Sequence, residues 1–131
     1  MDDLVQRLQN VAEAGSFSLN CDLHRLQRAA GVAGMTVFDA DLSAAGSKGE
    51  FLACLAQAIG APEWFGHNWD ALADALCDLS WHDAPGYVLL LHNGGDMLGL
   101  STEEQGTVEE ILADVVDYWK TQGKPFWVFF C

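Results

Sequence analysis

The chain has 131 residues, a formal net charge of −13 and an apolar fraction of 50% that includes five tryptophans. This length and apolar content are enough to bury one core, which excludes an intrinsically disordered protein. The negative charge repels nucleic-acid phosphates and anionic membranes and favours a basic partner, so we expect no direct nucleic-acid or membrane binding.

Targeting and cysteine patterns indicate a cytoplasmic protein. The first residues lack the basic and apolar regions of a signal peptide, and the apolar runs YVLLL and FWVFF are too short to cross a bilayer. The cysteines show no CxxC pair and the histidines show no HxxxH pair, so we expect neither a metal site nor a cofactor. Without an export signal, reduced thiols are favoured over a disulfide.

The first 34 residues carry apolar side chains at helical spacing. This spacing predicts one helix over Asp2–Ala14 and a second helix that is stopped by Gly31 and Gly34. Between them, Ser16–Leu19 alternates polar and apolar residues and is a candidate extra strand. We therefore expect residues 1–34 to form an extension packed on a domain of residues 35–131.

Strand and helix patterns alternate after the extension. We predict three neighbouring parallel strands at Met35–Phe38, Tyr87–Leu91 and Phe126–Phe130. Helix-capping residues precede the helical patterns between and around these strands: Ser47, Asn68 and Ser101. The alternation predicts an α/β fold, a small parallel sheet of three or four strands packed with helices and joined by right-handed crossovers.

One segment, PEWFGHNWDALADALCDL at residues 62–79, stands out for its chemistry. A bend carrying Trp64 and Phe65 runs into a helix with three carboxylates four residues apart: Asp70, Asp74 and Asp78. That spacing places the carboxylates on one face, while the leucines of the helix lie on another. Around the segment, residues 49–119 contain 13 Asp or Glu and no Lys or Arg. An aromatic bend beside unpaired carboxylates suits the capture of a cationic surface.

Enzymatic interpretations of the same segment are weaker. Cys77 with His67 or His82 would supply a thiol and a base, but neighbouring carboxylates raise a thiol pKa and so oppose thiolate formation. A glycosidase built on Asp70 and Asp74 lacks a substrate cleft, because the two residues lie on adjacent turns of an exposed helix. We therefore expect the protein not to be an enzyme.

The run PEWFGHNWDALADAL resembles the signature of the barstar family, small intracellular inhibitors of secreted ribonucleases. The strands and helices predicted on either side follow the order of that family. The resemblance covers about Met35 to Cys131 and does not extend to the first 34 residues. It implies a barstar-like fold and a protein that inhibits a ribonuclease by plugging its basic active site.

The resemblance also implies which residues bind the enzyme. Asp74 matches a carboxylate that occupies the site of an RNA phosphate, and Asp70 matches a second acid on the same face. Trp64 matches an aromatic that packs on the catalytic His, Gly66 a backbone contact and Asn68 a polar contact. Independently of the family, a carboxylate held in place on a helix reproduces the charge and hydrogen-bonding geometry of a phosphate oxygen.

Three positions depart from the family pattern. Ala73 stands where a Trp is frequent, His67 where a Glu is found, and Tyr118 near an acid on the last helix, with Asp114 and Asp117 close by. These departures indicate a cognate nuclease other than barnase. The alternative hypothesis is an immunity-type binding module that neutralises a basic toxin other than a ribonuclease.

Overall fold

The structure, a computed structural model, describes residues 2–18, 23–43, 45–61, 68–92 and 100–130. Five α-helices and four strands follow one another in these residues, with a short 3₁₀ turn at Val11–Glu13 after the first helix. In chain order they are α1 (Asp2–Leu8), β1 (Ser16–Ser18), α2 (Leu23–Val32), β2 (Thr36–Asp41), α3 (Lys48–Ile59), α4 (Trp69–Asp78), β3 (Tyr87–His92), α5 (Thr102–Thr121) and β4 (Phe126–Phe130).

The four strands form one parallel sheet in the order β1-β4-β3-β2. Tyr87 on β3 lies opposite both Thr36 on β2 and Phe126 on β4. This arrangement confirms the predicted α/β class and the three neighbouring parallel strands. Ser16–Ser18 adds the fourth strand, because β1 pairs with β4 from Ser16 opposite Val128 to Ser18 opposite Phe130.

Strand β2 is longer than predicted. It continues past Phe38 to Asp41, with Phe38 and Ala40 buried and Asp39 and Asp41 exposed. Two aspartates, Asp39 and Asp41, follow Phe38 in the sequence and interrupt the apolar pattern there. An edge strand tolerates these charges, since the side chains on one of its faces can remain in water.

Helices cover both faces of the sheet. Helices α3, α4 and α5 pack on the face that carries Leu89, while α1 and α2 pack on the face that carries Leu90. The chain crosses from β1 at one edge to β2 at the other with α2 on one face, and it returns through β3 and β4 with α3, α4 and α5 on the opposite face. The connection from β1 to β2 runs across the sheet in the opposite direction to the two later connections, and it lies on the opposite face. These two reversals cancel, so all three crossovers have the same hand, as the crossover rule requires.

The first helix is shorter than predicted, so its predicted extent over Asp2–Ala14 is wrong. It ends at Leu8, and Asn10 takes an extended conformation before the 3₁₀ turn. The Asn10 side chain accepts the Ala12 N–H at 3.0 Å and so begins a new turn. The indole of Trp127 on β4 donates to the Leu8 carbonyl at 2.8 Å, which satisfies the end of the helix from outside.

Residues of the extension contact the rest of the chain through α1, α2 and β1. Leu8, Leu26, Ala29 and Ala30 share a buried cluster with side chains from β3 and β4. The division of the chain into an extension and a domain at residue 34 stays a prediction, because contact alone does not define a domain boundary.

Candidate functional site: the acidic face of helix α4

Helix α4 begins with a side-chain cap. Asn68 is extended, and its Oδ1 accepts the Ala71 N–H at 2.8 Å, which confirms the predicted cap. Asp70 lies in the first turn, where a carboxylate also interacts favourably with the positive end of the helix dipole. Asn68 and Asp70 therefore have local structural roles in addition to the binding roles predicted for them.

The two faces of α4 differ completely in exposure. Leu72, Ala75 and Leu76 are fully buried against the core. The side chains four residues apart on the other face, Asp70, Asp74 and Asp78, are exposed. Within the described residues, no hydrogen bond or ion pair engages these three carboxylates. They are therefore available to a partner without the breaking of a hydrogen bond or ion pair to any residue of the described ranges.

Neighbouring helices fix the position of α4. At its first turn, the Trp69 ring lies 6.2 Å from the Phe51 ring, and the Lys48 ammonium lies 5.1 Å from the centre of the Trp69 ring. Near its last turn, the indole N–H of Trp119 on α5 donates to the Leu76 carbonyl at 2.8 Å. The acidic face thus belongs to a helix that is held near both ends.

The pKa of the Cys77 thiol is affected by the negative charge of this surface. Burial raises the pKa of its thiol, and the negative charges of Asp74 and then Asp114 raise it further. A raised pKa keeps the thiol protonated and makes Cys77 a poor nucleophile, which argues against the thiol-enzyme hypothesis. Since Asp74 on α4 and Asp114 on α5 both act on one thiol, the acidic surface continues from α4 onto α5.

The structure describes three of the five predicted binding residues. Asn68, Asp70 and Asp74 lie together at the start and along the exposed face of α4. Trp64 and Gly66 lie outside the described residues, as does His67. The partner-binding role of all five stays a prediction.

Sequence reasoning missed the part that Trp119 plays at this site. The helical pattern of α5 identified it only as a core residue, and its bond to Leu76 joins residues 43 positions apart. No local motif signals such a pairing, because it depends on how α4 and α5 pack. The one general signal in the sequence is a Trp on the buried face of a predicted helix, because a buried indole N–H needs a hydrogen-bond acceptor.

Neither a metal site nor a membrane-spanning helix is found among the residues described. In that part of the chain no group of three or more His, Cys, Asp or Glu is placed to hold a metal ion. None of the five helices found there is long and apolar enough to span a bilayer.

Comparison with known proteins identifies the family. A search of curated proteins finds no match to this chain. The family model described as Barstar (barnase inhibitor) matches residues 35–131, which is about three quarters of the sequence and includes all of β2, α3, α4, β3, α5 and β4. Together with the parallel α/β fold, this match means that the chain belongs to the Barstar (barnase inhibitor) family, whose members are inhibitors and not enzymes.

Proposed function

We propose that this protein inhibits a basic ribonuclease by inserting the exposed face of α4, with the bend before it, into the active site of the enzyme. Its family supports a ribonuclease-inhibitor role in general. One observation carries the specific proposal: Asp70, Asp74 and Asp78 form an exposed acidic face, with no partner among the described residues, on a helix whose opposite face is buried.

The physical argument rests on charge and on preorganisation. A ribonuclease active site is lined by cationic groups that hold phosphate oxygens, and a carboxylate supplies the same charge and acceptor geometry. Because α4 is capped by Asn68 and bonded to Trp119, little ordering of the helix is needed on binding. The net charge of −13 steers a cationic enzyme towards the inhibitor.

The proposed contact residues are Trp64, Gly66, Asn68, Asp70 and Asp74. For Asn68, Asp70 and Asp74 the proposal is supported by their position on or beside the exposed face of α4. For Trp64 and Gly66 it rests on the resemblance of the bend sequence to the family signature. We further propose that the protein acts in the cytosol, and that residues 1–34 are a packed extension of the family domain.

The test compares two single substitutions in a titration against barnase and a panel of other basic ribonucleases. Asp74→Ala is expected to weaken binding to the inhibited enzyme by roughly 100-fold or more, mainly through faster dissociation, because its loss leaves a cationic group of the enzyme buried and unpaired. Glu109→Ala removes the same charge from an exposed position on α5 and is expected to alter only the association rate and its salt dependence.

Thermal melts distinguish binding from folding in this experiment. Since Asp74 is exposed and pairs with no residue that the structure describes, its replacement should change the free energy of unfolding by less than about 0.5 kcal/mol. Equal affinities of wild type and Asp74→Ala for an inhibited enzyme would reject the occlusion mechanism. Tight binding of a basic toxin that does not cleave RNA, with no binding to any ribonuclease, would favour the immunity-type alternative.

A further inference from the structure

Three tryptophans use their indole N–H groups in the same way. Trp127 donates to the Leu8 carbonyl, Trp81 to the Ile59 carbonyl and Trp119 to the Leu76 carbonyl, each at 2.8 Å. Leu8 and Ile59 are the last residues of α1 and α3, and Leu76 lies in the last turn of α4. Carbonyls at these places have no donor within their own helix, so each indole satisfies a helix end from a neighbouring element.

The hydrogen bond from Trp119 differs from the other two because its acceptor lies on α4, the helix that carries the proposed binding surface. The helix closes with the Leu79 N–H on the Ala75 carbonyl at 3.1 Å, and Leu79 then takes a left-handed conformation with φ of 48°. The chain leaves the helix there, and the next carbonyl, that of Leu76, accepts the indole N–H of Trp119. Asp74 and Asp78 each lie two residues from Leu76, so the bond holds the segment that presents them.

Trp119 is itself held firmly. Its side chain is 6% exposed. Its ring lies 5.1 Å from the Tyr87 ring of β3, and the Lys124 ammonium lies 5.6 Å from its centre. An indole that projects from α5 and packs on Tyr87 of the sheet can therefore act as a rigid anchor for α4.

We propose that Trp119 is a positioning residue for partner binding: its indole N–H holds the last turn of α4 so that Asp74 and Asp78 keep a fixed relation to Asp70. The inference rests on the proposed function as far as binding is concerned. Without the bond, the Leu76 carbonyl loses the buried indole donor and the last turn opens more often. The partner must then order that turn when it binds, which lowers affinity without removing any contact atom.

The first test needs no partner. Trp119→Phe keeps an aromatic ring and removes the N–H, and Trp127→Phe is the matched control, because it removes an indole bond of the same length on the opposite face of the sheet. Amide hydrogen exchange of Cys77, Asp78 and Leu79 is expected to accelerate about tenfold in Trp119→Phe relative to Trp127→Phe, after correction for global stability. Equal exchange at these amides in the two variants would overturn the proposal.

The second test measures binding to the ribonuclease that the wild type inhibits. Trp119→Phe is expected to bind about tenfold more weakly and Trp127→Phe as tightly as wild type. If Trp119 acts through the carboxylates, its effect should shrink when combined with Asp74→Ala in a double-mutant cycle. Strict additivity would overturn the positioning role, since a general loss of stability predicts independent effects.

The two tests separate failure of the inference from failure of the proposed function. If the wild type binds no ribonuclease, the proposed function is wrong, and the exchange experiment alone decides whether Trp119 positions α4. If Trp119→Phe fails to fold, replacing Trp119 with benzothienylalanine, which keeps the two-ring shape and lacks the N–H, tests the same bond. Unchanged exchange in that variant would equally overturn the proposal.

Discussion

Asp74 and Cys77 lie one helical turn apart, and the charge of the first acts on the thiol of the second. The raised pKa of Cys77 comes first from burial, then from Asp74 and Asp114. Cys54 also has a raised pKa, from burial and then from Asp41 and Glu50, which lie elsewhere in the fold. The two cysteines therefore provide an internal comparison for the local effect of Asp74.

We predict that Asp74→Asn makes Cys77 more reactive. Removing one negative charge lowers the pKa of the thiol towards its ordinary value, and the thiolate fraction rises tenfold for each unit of that decrease while pH stays below the pKa. Site-resolved mass spectrometry of alkylation by iodoacetamide at pH 8 should show faster labelling of Cys77 and unchanged labelling of Cys54. An unchanged rate at Cys77 would mean that Asp74 does not act on this thiol.

At the scale of elements, α4 depends on its cap at Asn68. The capping bond to the Ala71 N–H resembles that of α5, where the Ser101 hydroxyl accepts the Glu104 N–H at 3.1 Å and the Glu104 carboxylate accepts the Ser101 N–H at 2.9 Å. In α5 the two partners support each other. In α4 the capping side chain, that of Asn68, lies two residues before Asp70, the first carboxylate of the acidic face.

Asn68→Ala should lower the free energy of unfolding by about 1 kcal/mol, because the Ala71 N–H loses its acceptor, whereas Asn68→Ser should retain most of the stability. Urea unfolding of both variants measures the difference. If Ser also restores binding to the inhibited enzyme, the main contribution of Asn68 is the cap. If Ser restores stability but not binding, the amide itself contacts the partner.

At the scale of the whole molecule, helices α1 and α2, which lie within residues 1–34, cover the face of the sheet that carries Leu90. Four buried side chains of β3 and β4 face α1 and α2: Val88, Leu90, Trp127 and Phe129. The family match begins at residue 35, so this cover is supplied by a part of the chain that the match does not include.

We predict that a chain beginning at Met35 is less stable and self-associates, because an apolar patch of this kind is rarely left exposed on a soluble monomer. Size-exclusion chromatography and binding of a hydrophobic dye measure the effect, with the full chain as the control. A monomeric truncated chain with unchanged unfolding free energy would show that residues 1–34 are dispensable for the fold.

Alkaline pH should destabilise the whole molecule. Burial raises the pKa of Tyr87 and of Cys77, and the hydrogen bond with Asp83 raises the pKa of Lys124. The folded state therefore holds these protons at pH values where the unfolded chain releases them, so stability falls as pH rises above the ordinary thiol value of 9.0.

Urea unfolding between pH 8 and 11 should show this decline, and Tyr87→Phe should reduce its slope above the ordinary tyrosine pKa of 10.0. The substitution also removes the bond from the Tyr87 hydroxyl to the His82 carbonyl, so its stability at pH 8 is the reference for the comparison. Identical slopes for wild type and Tyr87→Phe would contradict a raised pKa at Tyr87.

Local sequence was sufficient for most of the elements. The continuous apolar runs at Tyr87–Leu91 and Phe126–Phe130 predicted two central strands, since only strands covered on both faces need apolar residues at every position. Asn68 and Ser101 predicted two helix starts because a cap is a contact within four residues. The spacing of Asp70, Asp74 and Asp78 likewise placed them on one exposed face.

Tertiary structure alone decided the features that join distant residues. The end of α1 at Leu8 and the anchoring of α4 at Leu76 each depend on an indole N–H from another element, Trp127 and Trp119. The order of the strands, with β1 beside β4, depends on which edge the first strand reaches. A short-range pattern carries no information on such pairings, because their energies arise only after the helices have packed on the sheet.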